Sequence, residues 1–173
     1  MHVEIFIAGS GGQGIILTGG ILGKAATLNG MYATQVSNHG SSQRGTPVRT
    51  EIIISDKPIE YAFVQNPDFF IVMSYLGFNR FSNNMVEKTK VFINSDRVKD
   101  FKNYYDGEYI SLPASTIAKE MGNPLGANIV MLGKFLSFLK IIPLKVVEDA
   151  IIQNTPEQFI EKNLLAIRKG YTI

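Results

Sequence analysis

The sequence predicts a single α/β domain over residues 1–173, with a mainly parallel sheet flanked by helices and a helical C-terminal part. Three observations lead there. Short apolar runs suited to buried strands recur at residues 3–8, 69–73 and 91–93. Segments of helical period alternate with them and then dominate the C-terminal part. A glycine cluster follows the first run directly and opens the first helix. Strands alternating with helices are the pattern of a layered sheet whose strands run mostly one way. A chain of 173 residues is long enough to bury roughly 70% of its unfolded surface in one core.

Residues 3–8 form an apolar run and read as a buried strand. Over residues 13–29, Ile16, Leu17, Ile21, Ala25 and Leu28 recur close to helical spacing. Gly19, Gly20 and Gly23 lower the helicity of that segment and permit close packing on a neighbour. Gly30 marks the helix stop. Residues 31–36 are a second strand and 37–47 a polar loop. The β-branched run 48–55 is a third strand, closed by Asp56-Lys57-Pro58. Residues 69–73 suit a central strand buried on both faces; 91–93 is similar and 109–112 weaker.

Helices follow at 115–121, ending in Gly122-Asn123-Pro124, at 128–139, apolar on most faces, and at 143–154, with Leu144, Val147 and Ile151 on one face. Thr155 as N-cap, Pro156 at the first helical position and a capping-box partner at Glu157-Gln158 start the last helix, which ends at Gly170. Asp68 and Asp96 are expected as turn or cap residues. Met73, Met85, Met121 and Met131 are expected as core or interface filler.

Composition excludes several chemistries. There is no cysteine, so the chain supplies no disulfide, no thiolate nucleophile and no ligand to an iron–sulfur cluster. His2 and His39 are too few for a histidine metal cage, and no metal site is expected. If electrons pass, a partner or an organic cofactor carries them. The N-terminal residues show no basic targeting region, and the apolar stretch 126–142 is interrupted by Lys134 and Lys140, so no membrane span is expected. The net charge of +2 is scattered, which gives no nucleic-acid surface.

Gly9-Ser10-Gly11-Gly12-Gln13-Gly14 fits G-x-G-x-x-G between a strand and a helix, the context that pattern requires. Glycines allow a tight turn and close approach, and the helix N-terminus offers N–H groups and partial positive charge to an anion. A dinucleotide site of the NAD type also needs an acidic residue about 20 positions on. None exists between Glu4 and Glu51. An NADP site would tolerate this with Arg44 as phosphate partner. The P-loop pattern fails, because Ala25 stands where Ser or Thr would hold magnesium. The loop 37–49 gathers His39, Gln43, Arg44 and Arg49 among small residues. Beside the glycine loop it would form a mouth suited to phosphates or a carboxylate; alone it would be a solvated loop. His39 is expected as a structural histidine, and no catalytic residue is assigned.

These residues resemble the gamma subunit of the 2-oxoacid:ferredoxin oxidoreductases of the pyruvate, 2-oxoglutarate and branched-chain types. The glycine loop at 9–14, Arg44-Gly45, the segment Ile54-Ser55-Asp56-Lys57-Pro58-Ile59, Gly122-Asn123-Pro124 and Ala127-Asn128 with Met131-Leu132-Gly133 occur in that order across nearly the whole chain. The middle loop, Asn38 to Thr46, is closer to the related beta subunit of the indolepyruvate oxidoreductases.

The resemblance implies a Rossmann-like gamma-type domain, cytoplasmic, without activity alone. Its complex converts a 2-oxoacid and coenzyme A to acyl-CoA, carbon dioxide and reduced ferredoxin. Gly9, Gly11, Gly12, Gln13, Gly14, His39, Arg44 and Gly45 would contact coenzyme A. Thiamine pyrophosphate and the iron–sulfur clusters would sit with alpha and beta, and in some complexes delta, partner subunits. In isolation the chain is expected as a homodimer; a stand-alone NADP- or flavin-dependent oxidoreductase and a non-catalytic scaffold are the alternatives. With 18% charged residues, against about 25% in ordinary domains, the composition suits a surface largely covered by partners.

Overall fold

The computed structural model of the protein describes residues 1–38 and 45–173. Six strands build one sheet: β1 (His2–Ser10), β2 (Tyr32–Asn38), β3 (Pro47–Ser55), β4 (Phe69–Val72), β5 (Lys90–Asn94) and β6 (Tyr109–Leu112), in the order β2-β3-β1-β4-β5-β6. β1, β4, β5 and β6 run parallel. β3 is antiparallel to both β1 and β2, so only this strand is reversed and the sheet is mainly parallel.

The helices are α1 (Ile15–Leu28), α2 (Tyr75–Phe81), α3 (Ala114–Glu120), α4 (Ala127–Leu139), α5 (Leu144–Asn154) and α6 (Glu157–Thr172). The central strands are apolar without alternation because both faces are covered. Ile5 and Ile7 of β1 point into a core shared with α1, α4, α5 and α6. Phe6 and Ala8 point the other way, onto Phe78 and Phe81 of α2 and onto Val98 and Phe101. Rings meet edge-on in both layers, Phe6 on Phe70 at 5.2 Å and Phe92 on Phe135 at 5.3 Å. Such pairs contribute about 0.5–1.5 kcal/mol beyond their buried area. No helix among the described residues is long and apolar enough to cross a membrane.

Several local expectations shift. The first strand extends to Ser10, and the second and third extend to Asn38 and Pro47, shortening the polar loop between them. Helix α2 was not expected from the sequence: it has seven residues, too few to show a period, and includes Gly77 and Asn79. Its start is nonetheless well defined, the Ser74 hydroxyl accepting the Gly77 N–H at 3.3 Å.

Thr155 does not cap α6. Pro156 takes extended angles (φ −55°, ψ 140°) and is itself the N-cap, so the helix starts one residue later and the Thr155 hydroxyl stays unpaired. Gly170 does not end α6, which continues to Thr172; a Cβ there would press on the Val130 backbone of α4. Asp96 does act as a cap, accepting the Thr116 N–H of α3 at 2.7 Å.

Candidate functional site

The glycine loop lies at the carboxyl end of β1, beside that of its parallel neighbour β4. From β1 the chain enters α1 on one face of the sheet, and from β4 it enters α2 on the other. Open α/β sheets bind ligands at this divergence. Gly12 (φ 90°) and Gly14 (φ 68°) hold left-handed backbone angles that other residues adopt at a cost. Gly14 has a second constraint, since any Cβ would meet the Asn128 amide.

Side chains stitch the loop into place. Gln13 accepts the Ser10 N–H at 2.7 Å through Oε1 and donates to the Met73 carbonyl at 3.2 Å through Nε2. The Ser10 and Ser74 hydroxyls bond at 2.9 Å, joining the ends of β1 and β4. A Cβ on Gly9 would stand 2.6 Å from both Gln13 Oε1 and Ile15 Cδ1, so those two side chains would have to shift to admit one. The Gly11 N–H donates to the Thr46 carbonyl at 2.8 Å, which ties the loop to the start of β3.

On its α1 side the loop opens on a pocket of about 260 Å³. Gly12, Gly14 and Leu17 form one wall, Asn128 and Ile129 of α4 the second, Phe159 and Asn163 of α6 the third. Each of these three helices brings its N-terminal turn to the pocket, and no side chain caps any of them. Asn128 is 4% exposed and donates to the Gly14 carbonyl at 3.2 Å and to Thr18 Oγ1 at 3.0 Å, clamping the loop to α4. None of the lining side chains is charged.

Of the expected site residues, Gly9, Gly11, Gly12, Gln13 and Gly14 are together, and Gly45 (φ 76°) stands next to Thr46 beside Gly11. His39 and Arg44, with Gln43, lie outside the described residues. Arg49 does not join the mouth. It belongs to β3, pairs with buried Glu51 at 3.1 Å and lies 5.6 Å from the ring centres of Phe6 and Phe81. A carboxylate two residues along the same strand points to the same face; this is why its charge is consumed internally.

The sequence reading missed the far walls of the pocket. The available signal was polar residues set into apolar helix faces, Asn128 in α4 and Asn163 in α6. Among the described residues no group of His, Cys, Asp or Glu could hold a metal ion. The groups with shifted titration are surface ion pairs remote from this site, such as Arg168, raised by its hydrogen bond to Glu148.

Comparison with known proteins gives a consistent pattern. The pyruvate ferredoxin/flavodoxin oxidoreductase family profile matches residues 4–173. A 2-oxoglutarate synthase subunit KorC from Methanothermobacter marburgensis is 36% identical over 177 residues, covering 98% of this chain and 95% of the relative. The keto/oxoacid ferredoxin oxidoreductase gamma subunit from Geobacter sulfurreducens superposes with a TM-score of 0.83 at 29% identity, over 99% of this chain and 95% of that one. A 2-oxoglutarate:ferredoxin oxidoreductase from Magnetococcus marinus, solved with 2-oxoglutarate, coenzyme A and succinyl-CoA bound, has the same fold (TM-score 0.83, 22% identity). The match spans 99% of this chain and 30% of that longer one.

Proposed function

The chain belongs to the pyruvate ferredoxin/flavodoxin oxidoreductase family, and from that premise we propose that it is the gamma subunit of a 2-oxoglutarate:ferredoxin oxidoreductase that helps bind coenzyme A. The observation that carries the coenzyme role is the loop itself. Two left-handed glycines open α1 at the divergence of β1 and β4, with no side-chain cap on that helix. This leaves backbone N–H groups and the positive end of the helix for phosphate oxygens. The 2-oxoglutarate assignment follows the relative named KorC rather than any residue of this chain.

When bound, coenzyme A supplies the thiol that accepts the acyl group. Gly12, Gly14 and the first turn of α1 would hold its phosphates, with Arg44 as the cationic partner expected from the sequence. Gln13 keeps the loop in shape through Ser10 and Met73. His39 and Gly45 belong to the same mouth in this reading. Lacking cysteine, the chain leaves thiolate-held clusters, and with them thiamine pyrophosphate and the contact with ferredoxin, to alpha, beta and delta partners. The setting is cytoplasmic, and a homodimer forms only without those partners.

The test is kinetic, in the reconstituted complex with assembly verified by co-elution. Gly12→Val and Arg44→Ala are expected to raise KM for coenzyme A about tenfold, equivalent to about 1.4 kcal/mol, while KM for 2-oxoglutarate holds. An unchanged KM for coenzyme A in both variants overturns the binding role and leaves a scaffold. Calorimetric titration of the chain with NADPH, NADP and flavins addresses the stand-alone oxidoreductase; heat from any of them would favour it.

A further inference from the structure

We propose that the outer edge of β2 is a self-association surface. A second copy of this chain adds its own β2 there, antiparallel, and continues the sheet across a two-fold axis. This assigns a surface to the homodimer proposed above for the chain without its partners, and it does not depend on the coenzyme A reading. β2 is the outermost strand on its side of the sheet. Its seven residues pair with β3 one for one, from Tyr32 opposite Ser55 to Asn38 opposite Arg49, without a bulge. Among the described residues, its other edge meets no backbone partner.

Such an edge is a template for another strand, and proteins that avoid pairing shorten it, charge it, bulge it or insert proline. The opposite edge of this sheet is shortened: β6 has four residues and follows Glu108 directly. β2 has none of these devices. It reads Tyr-Ala-Thr-Gln-Val-Ser-Asn, with no charge and no proline.

That neutrality selects a second copy as the occupant. Pairing about a two-fold axis sets β2 opposite itself, and like charges directly opposite one another destabilise a ladder. A strand without charge meets its own copy in any register without that cost, and one patch serves both sides of the interface. The axis stands normal to the sheet, so each face of one copy continues into the same face of the other. On one face Tyr32 is 50% exposed, Tyr61 56% and Phe63 47%. The Tyr61 and Phe63 rings lie 5.5 Å apart, and Thr34 Oγ1 donates to the Ala62 carbonyl at 3.3 Å, which holds this segment beside β2.

On the other face, α1 packs over β2 with Gly20 and Gly23. A Cβ on Gly20 would stand 3.6 Å from Gln35 Oε1, and one on Gly23 4.0 Å from Ala33 Cβ. Both are ordinary contact distances, so a single copy admits alanine at either position. Glycine inside a helix lowers its stability; a second α1 approaching along this side gives both glycines a steric reason. Lys24 is the one charge in α1, and its long stem carries the ammonium away to solvent.

The test uses the full chain alone. Sedimentation is expected to give twice the mass of the chain, and Tyr32→Lys with Asn38→Lys to give a monomer with an unchanged circular dichroism spectrum. The native chain has no cysteine, so single cysteines report cleanly. Under oxidation, Thr34→Cys, Gln35→Cys or Val36→Cys is expected to form a disulfide-linked dimer, since directly opposite residues hold their Cβ atoms about 5 Å apart. Ser111→Cys on β6 is expected to form none. If the lysine variant fails to fold, the cysteines decide. A monomeric native chain, or a larger open assembly, overturns the proposal together with the homodimer. A dimer that keeps its mass in the lysine variant, or that cross-links at Ser111→Cys and not in β2, overturns the β2 surface alone. Cross-linking of the β2 cysteines to another subunit in the assembled complex, with the free chain monomeric, gives the edge to that subunit and overturns self-pairing. KM for coenzyme A in the Gly12→Val complex is unaffected by any of these results, so the coenzyme reading stands or falls separately.

Discussion

Asn128 holds the glycine loop from outside the motif, as Gln13 does from within it. Its amide holds both the Gly14 carbonyl and Thr18 Oγ1 from a helix more than a hundred positions away in sequence. Asn128→Ala removes that clamp and leaves buried oxygens with fewer donors, so urea unfolding should show a loss of about 1–3 kcal/mol. Gly77 is the counterpart on the α2 side, where a Cβ would lie 2.5 Å from the Gly9 nitrogen. Gly77→Ala should cost about 1–3 kcal/mol through overpacking and displace the loop, seen as a lower urea midpoint. At this scale the motif 9–14 was legible because strand, glycines and helix are contiguous. Asn163 and Gly77 were not, and Asn128 was legible as a motif residue but not as the clamp on Gly14, because their reasons lie across the fold. Thr155 misled because capping signals are local, whereas the extended angles at Pro156 set the helix start.

Among the elements, the crossing of α4 and α6 shapes the pocket. Gly133 faces the Ile167, Gly170 and Tyr171 backbone, and Gly170 faces Val130. A glycine serving only as a helix stop could be replaced at little cost, and inside a helix Gly→Ala gains up to about 1 kcal/mol. Gly170→Ala should instead destabilise the protein, because the new methyl group has backbone on the far side; calorimetry decides the sign. Farther along, Arg168 of α6 donates to Glu148 of α5 at 2.6 Å. Its titration is raised from an already high value. A raised cationic group stabilises below its unfolded value and loses that stabilisation only as pH climbs through the folded value, so this link does not titrate near neutrality. Arg168→Ala should therefore lower the melting temperature by a similar amount across pH 6 to 8, and a loss confined to one end of that range would contradict it. Strands 3–8 and 69–73 and the helix 128–139 were legible from apolar runs. The reversal of β3 was not, since register and direction depend on pairing rather than composition.

Over the whole molecule, the low charge content finds a structural counterpart. Among the exposed apolar side chains, four sit at the carboxyl end of the sheet and around the pocket mouth: Leu125 at 74%, Tyr104 at 51%, Tyr75 at 42% and Phe159 at 38%. Tyr75 and Tyr104 meet with their rings tilted, 5.3 Å apart, on the α2 side of the glycine loop, while Leu125 and Phe159 flank its α1 side. A site ringed by apolar surface on both sides matches a subunit that completes its function against partners. The fold class was legible from strand and helix alternation, and the family from the ordered motifs. The charged half of the expected mouth, His39 and Arg44, lies outside the described residues, while Arg49 was withdrawn from it by Glu51. The most direct measurement is coenzyme A-dependent reduction of ferredoxin with 2-oxoglutarate, by the partner subunits with and without this chain, and with its Gly12→Val form. Activity that requires the chain, with KM for coenzyme A raised by the variant, is the predicted result. Equal turnover without it, at the same KM for coenzyme A, would contradict the account.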